Sequence, residues 1–299
     1  MDINFEYYKI FYYVAKYKNI TKAAAVLGSS QPNVTRIIKL LEAQLHCRLL
    51  SREPRGISLT EKGEALYSHV ESACLRLIQA PDRIGQQDTE DVGMIEIGAT
   101  ETALHLFLLD AMREFKGNHP GIRLKVHNHS TPELLRTLLA GRLDFAALTT
   151  PFETPDAFYG EDVWSFREIP VGGPHYRYLS EQKIRRDTLA KLPWIGLGKG
   201  TATYDFYKNF FISQGMEVEL DMEVATSDLM LPLILNNLGI GFVPEALAMP
   251  HLANKELVRT PTDFEAPLRA VRLVSERGRS GSAAANIFYQ YLKRRRPES

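Results

Sequence analysis

Hydrophobic positions at the start of the chain recur with the period of a helix. Phe5, Tyr8, Phe11, Tyr12 and Ala15 fall on one face when they are placed on a helix of about 3.6 residues per turn. The pattern therefore predicts an amphipathic helix that buries this face against the rest of the N-terminal region.

Two further helices follow, separated by a tight turn. Residues 22–27 predict a short, alanine-rich helix that ends at Gly28, since glycine readily takes the left-handed conformation of a helix C-terminus. Ser30 and Pro32 predict the next helix start, because serine caps free N–H groups and proline is tolerated in the first turn. The apolar stripe of this helix comprises Val34, Ile37, Ile38, Leu41 and Leu45.

Residues 49–60 place the motif EPRG (53–56) between short apolar segments, which predicts a β-hairpin with a basic tip. Helix, turn, helix and basic hairpin in this order are typical of a winged helix-turn-helix. We therefore predict a DNA-binding domain over residues 1–60. A three-helix module that binds another protein would show the same stripes and stays open as an alternative.

Small polar side chains and Arg36 lie near the start of the third helix, where they are able to contact base edges when the helix N-terminus enters the major groove. Basic residues further along the helix and on the hairpin suit phosphates or the minor groove. The predicted DNA contacts are Thr21, Lys22, Ser30, Gln31, Pro32, Asn33, Thr35, Arg36, Lys39, Arg52 and Arg55.

The charge distribution agrees with a nucleic-acid partner for this region. The whole chain of 299 residues balances 36 Lys and Arg against 36 Asp and Glu. Residues 1–60, however, hold nine basic and four acidic residues, so the rest of the chain is acidic. A positive module joined to a larger negative one favours a polyanion as the partner of the first.

The motifs FYYVAKYKNITKAAAVL (11–27), SQPNVTRIIKLLE (30–42), Arg52 and LTEKG (59–63) resemble the N-terminal domain of LysR-type transcriptional regulators. Three positions depart from that family's usual pattern. His46 stands where a glycine ends the recognition helix, Leu50 replaces a phenylalanine, and Thr35 replaces a serine. His46 leaves the end of the helix undecided, because a left-handed turn is costly for residues other than glycine.

A longer helix is predicted after the hairpin, within a linker segment over residues 61–90. Its apolar residues at heptad spacing are Leu59, Leu66, Val70, Ala73 and Leu77. This stripe either pairs with a second copy of the chain or packs on its own chain; the family resemblance implies a dimer here and suggests a tetramer. Pro81 predicts a kink or an end of the helix, followed by a polar hinge over residues 86–93.

From residue 91 onwards, short apolar segments alternate with helical patterns, which predicts parallel sheets with right-handed crossovers. The motifs PGIRL (120–124), GRLDFA (141–146) and GIGFVP (239–244) resemble the effector-binding half of LysR-type regulators, a two-lobed fold like that of periplasmic solute-binding proteins. The predicted fold class is α/β with a winged helix N-terminal domain. We assign lobe I to residues 91–161 and 268–299, and lobe II to residues 162–267.

Hydroxyl side chains follow the predicted strands, where open α/β sheets hold their ligands. By resemblance the effector positions are Thr100, Thr102, Ser130, Thr149 and Thr201. The strand ends add Glu101, His129, Thr203 and Thr226 to the predicted effector-binding residues. Neutral donors suit a small polar or anionic metabolite. Glu101, with His127 and His129, instead favours a ligand that carries an amine. Helix capping explains any single hydroxyl equally well.

Other classes of function find little support. No catalytic serine elbow or zinc-protease motif is present, so we expect no enzymatic activity, no catalytic residue and no cofactor. His127 and His129 alternate on a strand end, where histidine side chains are more often solvated than bound to a metal. The two cysteines are typical of a reducing compartment. Without a signal sequence or an apolar run of about 18 residues, a cytoplasmic protein with no membrane partner is expected. The predicted function is a ligand-responsive transcriptional regulator; the alternative is a cytosolic metabolite-binding protein or enzyme with an incidental helical module.

Overall fold

A computed structural model of the chain describes residues 3–53, 56–84, 92–180, 184–266, 268–278 and 281–295. The chain divides into two compact units. Unit 1 comprises residues 1–86 together with 140–142, and unit 2 comprises residues 87–139 and 143–299. The boundaries at residues 60 and 90 remain predictions.

Unit 1 is a helical domain with a two-stranded hairpin. Its elements are α1 (Phe5–Tyr17), α2 (Ile20–Val26), α3 (Gln31–Gln44), β1 (Leu50–Glu53), β2 (Gly56–Leu59) and α4 (Glu61–Ile84). The three predicted helices and the hairpin are thereby confirmed, with the strands antiparallel and Leu50 opposite Leu59. The core contains Phe11, Tyr12 and Ala15 of the predicted α1 stripe and, in addition, Ile10 and Val14, whereas Phe5 of that stripe is 48% exposed. The predicted stripe of α3 is buried from Val34 to Leu41.

Helix α3 ends in a left-handed turn, a conformation that the sequence left undecided. His46 is left-handed, with φ of 52°, although it is not glycine. Its neighbour Cys47 donates its N–H to the carbonyl of Glu42, 3.1 Å away, which closes the last turn. The carboxylate of Glu42 in turn accepts the N–H groups of Leu49 and Leu50 at 2.8 and 3.2 Å. These bonds hold the start of β1 against α3 and offset the cost of a left-handed histidine.

The motif LTEKG joins the hairpin to α4 through a cap and a close approach. The hydroxyl of Thr60 accepts the N–H of Gly63 at 3.0 Å and donates to the carbonyl of Arg48 at 2.7 Å. A Cβ added to Gly63 would lie 2.0 Å from the carbonyl oxygen of Leu49. Only glycine therefore fits here without moving the backbone.

We expect Gly63→Ala to lower the free energy of unfolding of unit 1 by about 1–3 kcal/mol, because the added methyl group forces α4 away from Leu49. Urea denaturation of the full-length chain followed by circular dichroism at 222 nm measures this loss. Gly117→Ala is the matched control, since a Cβ at Gly117 meets nothing within 4 Å. Equal losses for the two variants would contradict the close-approach explanation.

Helix α4 continues through Pro81 to Ile84, so the predicted end at Pro81 is wrong. Proline removes one N–H from the helix, and only three residues follow it, so little of the helical ladder is lost. The predicted heptad stripe divides in two: Leu66 and Val70 pack into the core of unit 1, whereas Leu77 is 57% exposed. Packing on its own chain thus accounts for the first half of the stripe. Most of the predicted hinge lies outside the described residues.

Unit 2 is an α/β domain. Its first half contains β3 (Gly93–Ala99), α5 (Glu101–Ala103), a π-helical turn (Leu104–Leu108), α6 (Leu109–Asn118), β4 (Ile122–Asn128), α7 (Thr131–Leu139), β5 (Phe145–Thr149) and β6 (Phe158–Gly172). Its second half contains a 3-10 segment (Pro174–Ser180), α8 (Arg186–Leu189), β7 (Trp194–Leu197), α9 (Ala202–Ser213), β8 (Leu220–Val224), a 3-10 turn (Ser227–Leu229), α10 (Met230–Leu235), β9 (Ile240–Pro244), α11 (Glu245–Ala253), β10 (Val258–Arg259), β11 (Leu268–Glu276) and α12 (Ala283–Arg294).

The strands of unit 2 have the order β4-β3-β5-β11-β6-β9-β7-β8, and β10 pairs with β6. Strand pairs on both sides are parallel, as predicted, but β6 and β11 run antiparallel to their neighbours, so the prediction of parallel sheets is wrong for these two strands. Strand β6 was not predicted at all, because exposed polar residues interrupt its first half.

Strand β6 connects the two lobes. Its residues up to Arg167 pair with β11, whereas Glu168 and those after it pair with β9. The lobe boundary predicted after residue 161 falls inside this strand. The hydrophobic clusters lie on either side of it, one packed around Phe115 and Phe288 and another around Trp194 and Phe242.

Candidate nucleic-acid interface and ligand cavity

Helix α3 presents two chemically different faces. Val34, Ile37, Ile38 and Leu41 are buried in the core of unit 1. On the other side, the predicted contact residues Gln31, Pro32, Arg36 and Lys39 are exposed, and Asn33 and Thr35 are half-buried. The helix therefore offers solvent a polar and basic surface about 20 Å long, at 1.5 Å per residue.

Hydrogen bonds order the side chains at the N-terminus of α3. The hydroxyl of Ser30 accepts the N–H of Asn33 at 3.4 Å, as an N-cap does. The amide of Asn33 bridges its neighbours: its Nδ2 donates to the hydroxyl of Ser29 at 3.1 Å, and its Oδ1 accepts from Nη2 of Arg36 at 3.0 Å. This chain of bonds holds the guanidinium of Arg36 on the exposed face.

The remaining predicted DNA contacts come from α2 and the hairpin. Thr21 and Lys22 are exposed in the first turn of α2, and Nζ of Lys22 lies 4.9 Å from the ring centre of Tyr17. Arg52 lies on β1, opposite Ile57. Arg55 lies outside the described residues.

A cavity of about 740 Å³ lies within unit 2. Its volume falls in the range of about 300–1,000 Å³ that small-molecule sites occupy. All nine residues predicted to bind an effector line it: Thr100, Glu101, Thr102, His129, Ser130, Thr149, Thr201, Thr203 and Thr226. The structure thus gathers at one place residues that are dispersed along more than a hundred positions.

Two of these threonines are not helix caps. Thr100 precedes α5 but makes no capping bond; its hydroxyl lies 2.6 Å from that of Thr149, at the end of β5. Thr226 precedes a 3-10 turn and likewise makes no side-chain cap. Thr201 behaves differently, since its hydroxyl accepts the N–H of Tyr204 at 3.1 Å and caps α9. The capping explanation therefore holds for Thr201 and not for Thr100 or Thr226.

Charged and polar groups of the cavity wall have partners within the protein. Glu101 and His105 are 2.7 Å apart on the same helical turn. His129 lies 3.6 Å from Glu133. The hydroxyl of Thr102, on α5, lies 3.5 Å from the hydroxyl of Ser227, in the 3-10 turn that precedes α10. This contact joins the two lobes beside the cavity.

A buried ion pair lies in the wall of the cavity, and sequence reasoning missed it. Nη1 of Arg269 donates to Oε2 of Glu168 at 2.9 Å, and both side chains are more than 90% buried. The Tyr207 hydroxyl donates to the same oxygen. Arg269 also donates from Nε to the Thr150 carbonyl at 2.7 Å and from Nη2 to the Thr203 hydroxyl at 3.1 Å.

Burial and charge act together on this group. Burial raises the pKa of the Tyr207 hydroxyl, and the Glu168 carboxylate raises it further. Burial lowers the pKa of the Arg269 guanidinium, but the same carboxylate more than reverses this and holds the pKa above its usual value. The Arg269 guanidinium therefore keeps its charge, which the Glu168 carboxylate 2.9 Å away stabilises. Their only signal in the sequence is a charged residue within an apolar strand.

In the part of the chain that the structure describes, no group of three His, Cys, Asp or Glu side chains is arranged to hold a metal ion. His127 lies 3.2 Å from Glu96 instead. Among the same residues, no helix is both long enough and apolar enough to cross a membrane.

Comparison with known protein families agrees with this arrangement. Residues 5–64 match the family model of the bacterial regulatory helix-turn-helix protein, lysR family, and residues 88–297 match that of the LysR substrate binding domain. The chain belongs to the LysR family of transcriptional regulators. It is a DNA-binding transcriptional regulator with an effector-binding domain, and its partners are DNA and a small-molecule effector.

Relatives match over most of their length. The HTH-type transcriptional regulator YofA of Bacillus velezensis is 29% identical over 248 residues, which cover 83% of each chain. The crystal structure of ArgP from Mycobacterium tuberculosis has a TM-score of 0.70 at 18% identity, with 98% of this chain and 97% of that chain covered. Full-length CbnR, crystallised in complex with its target DNA, has a TM-score of 0.56 at 19% identity and covers 98% and 99%.

Proposed function

We propose that this regulator reads an operator through α3 and changes its activity when a small polar or anionic metabolite occupies the cavity of unit 2. The observation that carries the proposal is the convergence of the nine predicted residues on one cavity of about 740 Å³. The exposed basic face of α3 supports the DNA contact, with the residues predicted above in the major groove and the hairpin on the flanking backbone.

The effector acts by shifting a population between two arrangements of the protein. A ligand does this only if it binds one arrangement more tightly than the other. The contact between Thr102 and Ser227 joins the lobes beside the cavity, so a bound ligand changes the free energy of this contact. The two lobes, connected by β6 and β11, are the elements whose relative position we expect to respond.

Self-association supplies the second half of the DNA site. A dimer with two-fold symmetry reads an inverted repeat. Leu77 and Ile78 on α4 are 57% and 48% exposed, which supports pairing of this part of the helix with a second copy. We propose a dimer through α4 and a tetramer built from two such dimers.

The chain has no catalytic role in this proposal, and it works in the cytoplasm. Its relatives with printed functions are transcriptional regulators, and a regulator of this kind acts where the genomic DNA is. DNase footprinting of purified full-length protein on the DNA upstream of neighbouring genes tests the DNA function. A protected sequence whose affinity falls steeply with salt supports it, whereas the absence of any protected site would refute it.

Thr100→Val tests the effector site, because valine keeps the shape of threonine and removes the hydroxyl that faces Thr149. We expect the variant to bind operator normally but to lose its response to the effector in a promoter reporter. Thr188→Val on α8, an exposed threonine outside the cavity wall, is the matched control and should respond normally. A normal dose response of Thr100→Val would remove Thr100 from the site.

A further inference from the structure

Glu168 has one carboxylate oxygen that the protein does not use. Oε2 accepts the hydrogen bonds from Arg269 and Tyr207. Oε1 accepts none from the described residues, although the side chain is only 6% exposed and lines the cavity. Oε1 is reached from the cavity while most of the side chain is buried, so a ligand N–H placed on Oε1 makes a stronger hydrogen bond than it would to a carboxylate in water.

The donors beside Glu168 are already engaged. Nε, Nη1 and Nη2 of Arg269 each donate to a protein acceptor, at 2.7 to 3.1 Å. The Tyr207 hydroxyl also donates, to Glu168. A second anion placed here would reach at most the second N–H groups of Nη1 and Nη2 of Arg269 and would lie next to the Glu168 carboxylate. The wall near Glu168 therefore accepts a hydrogen-bond donor more readily than an anion.

The cavity wall as a whole contains more acidic than basic residues. Its carboxylates are Glu101, Glu168, Glu219, Glu223 and Asp228, whereas its basic residues are Lys199, Lys208 and Arg269. The five acidic residues outnumber the three basic ones, so the cavity attracts a cation. Arg269 balances the charge of Glu168, so the excess of negative charge comes from the four other carboxylates.

We propose that the effector carries a primary ammonium group and that this group binds Oε1 of Glu168. The inference rests on the proposed function, in that it names the chemistry of the ligand in the same cavity. Two sources supply such a group: an α-amino acid, whose carboxylate is then able to reach the hydroxyls of Thr100 and Thr149, and an aliphatic diamine, which carries no carboxylate.

Thermal-shift measurements on the full-length protein test the proposal with matched probes. L-alanine and L-glutamate are each compared with the 2-hydroxy acid of the same carbon skeleton, and putrescine is compared with 1,4-butanediol, all at about 10 mM. We expect at least one amine to raise the melting temperature by about 2 °C or more while its hydroxyl counterpart does not. Stabilisation by an amino acid but not by putrescine indicates the first source, and stabilisation by putrescine but not by an amino acid indicates the second.

Variants assign the effect to Glu168. Glu168→Gln is expected to weaken binding of the active amine at least about tenfold. Because this variant leaves Arg269 buried without its counter-ion, Glu168→Gln/Arg269→Met is made as well and should show the same loss. Glu217→Gln removes an exposed carboxylate of unit 2 outside the cavity wall and should bind within about twofold of the parent chain. A loss as large in Glu217→Gln would contradict the assignment to Glu168.

The remaining outcomes separate this proposal from the proposed function. If the hydroxy acids stabilise the protein as much as the amines or more, the ammonium site is refuted. An anionic effector then remains consistent with the proposed function. No stabilisation by any amine also refutes it, while footprinting and Thr100→Val still decide the regulator function. An amine that binds through Glu168 without changing operator binding or reporter output supports the site and refutes the proposed effector control.

Discussion

Replacing Arg269 with methionine is expected to lower the free energy of unfolding of unit 2 by about 3–5 kcal/mol. Methionine retains much of the side-chain volume but leaves the buried Glu168 carboxylate without its counter-ion, and it removes the donors to Thr150 and Thr203. The two tryptophans, Trp164 and Trp194, both lie in unit 2, so urea denaturation followed by their fluorescence measures the stability of this unit.

Arg272→Met is the matched control for this experiment. Arg272 lies on the same strand and pairs with Asp162 at 2.6 Å, but the two side chains are 26% and 47% exposed. Water screens this pair, so the loss should stay within about 1 kcal/mol. The double variant Glu168→Gln/Arg269→Met, which removes both charges, should recover part of the loss. Equal losses at Arg269 and Arg272 would show that burial does not determine the strength of the pair.

Arg36→Ala is expected to weaken binding to the specific operator by about 1–3 kcal/mol, or roughly 5- to 150-fold in Kd, if the guanidinium reaches a base edge. Arg36 is exposed on α3, and its hydrogen bond to Asn33 holds it on the face that the proposal assigns to DNA. Because the side chain packs against no core residue, the fold should be unaffected. Electrophoretic mobility shifts on the footprinted site, together with a melting curve, measure both quantities.

Two controls separate base recognition from charge. Arg113→Ala removes a 76% exposed arginine of unit 2 and should leave operator affinity unchanged. Arg36→Lys keeps the charge but not the two-pronged geometry of the guanidinium, so it should lose specificity while nonspecific binding is retained. Unchanged operator affinity in Arg36→Ala would place α3 elsewhere than in the major groove.

Local patterns predicted most of the elements because local forces form them. The stripe from Phe5 to Ala15 and the serine and proline before α3 act within one or two turns of helix, so the boundaries of α1 and α3 follow from neighbouring residues. Gly28 follows α2 in the left-handed conformation, with φ of 61°, as its residue type alone predicts. His46 shows the limit of this reasoning, since bonds from Glu42 to the next strand accompany its left-handed turn.

The sequence by itself determined the class of the protein, the helices and hairpin of unit 1, most helices and strands of unit 2, and the nine hydroxyl, carboxylate and imidazole residues that line one cavity. Only the tertiary structure decided the antiparallel course of β6 and β11 and the pairing of Glu168 with Arg269, which lie 101 residues apart. Periodicity records which face of an element is buried, but no local pattern records which distant strand will pair with it. The partner of a buried charge is therefore known only once the sheet has assembled.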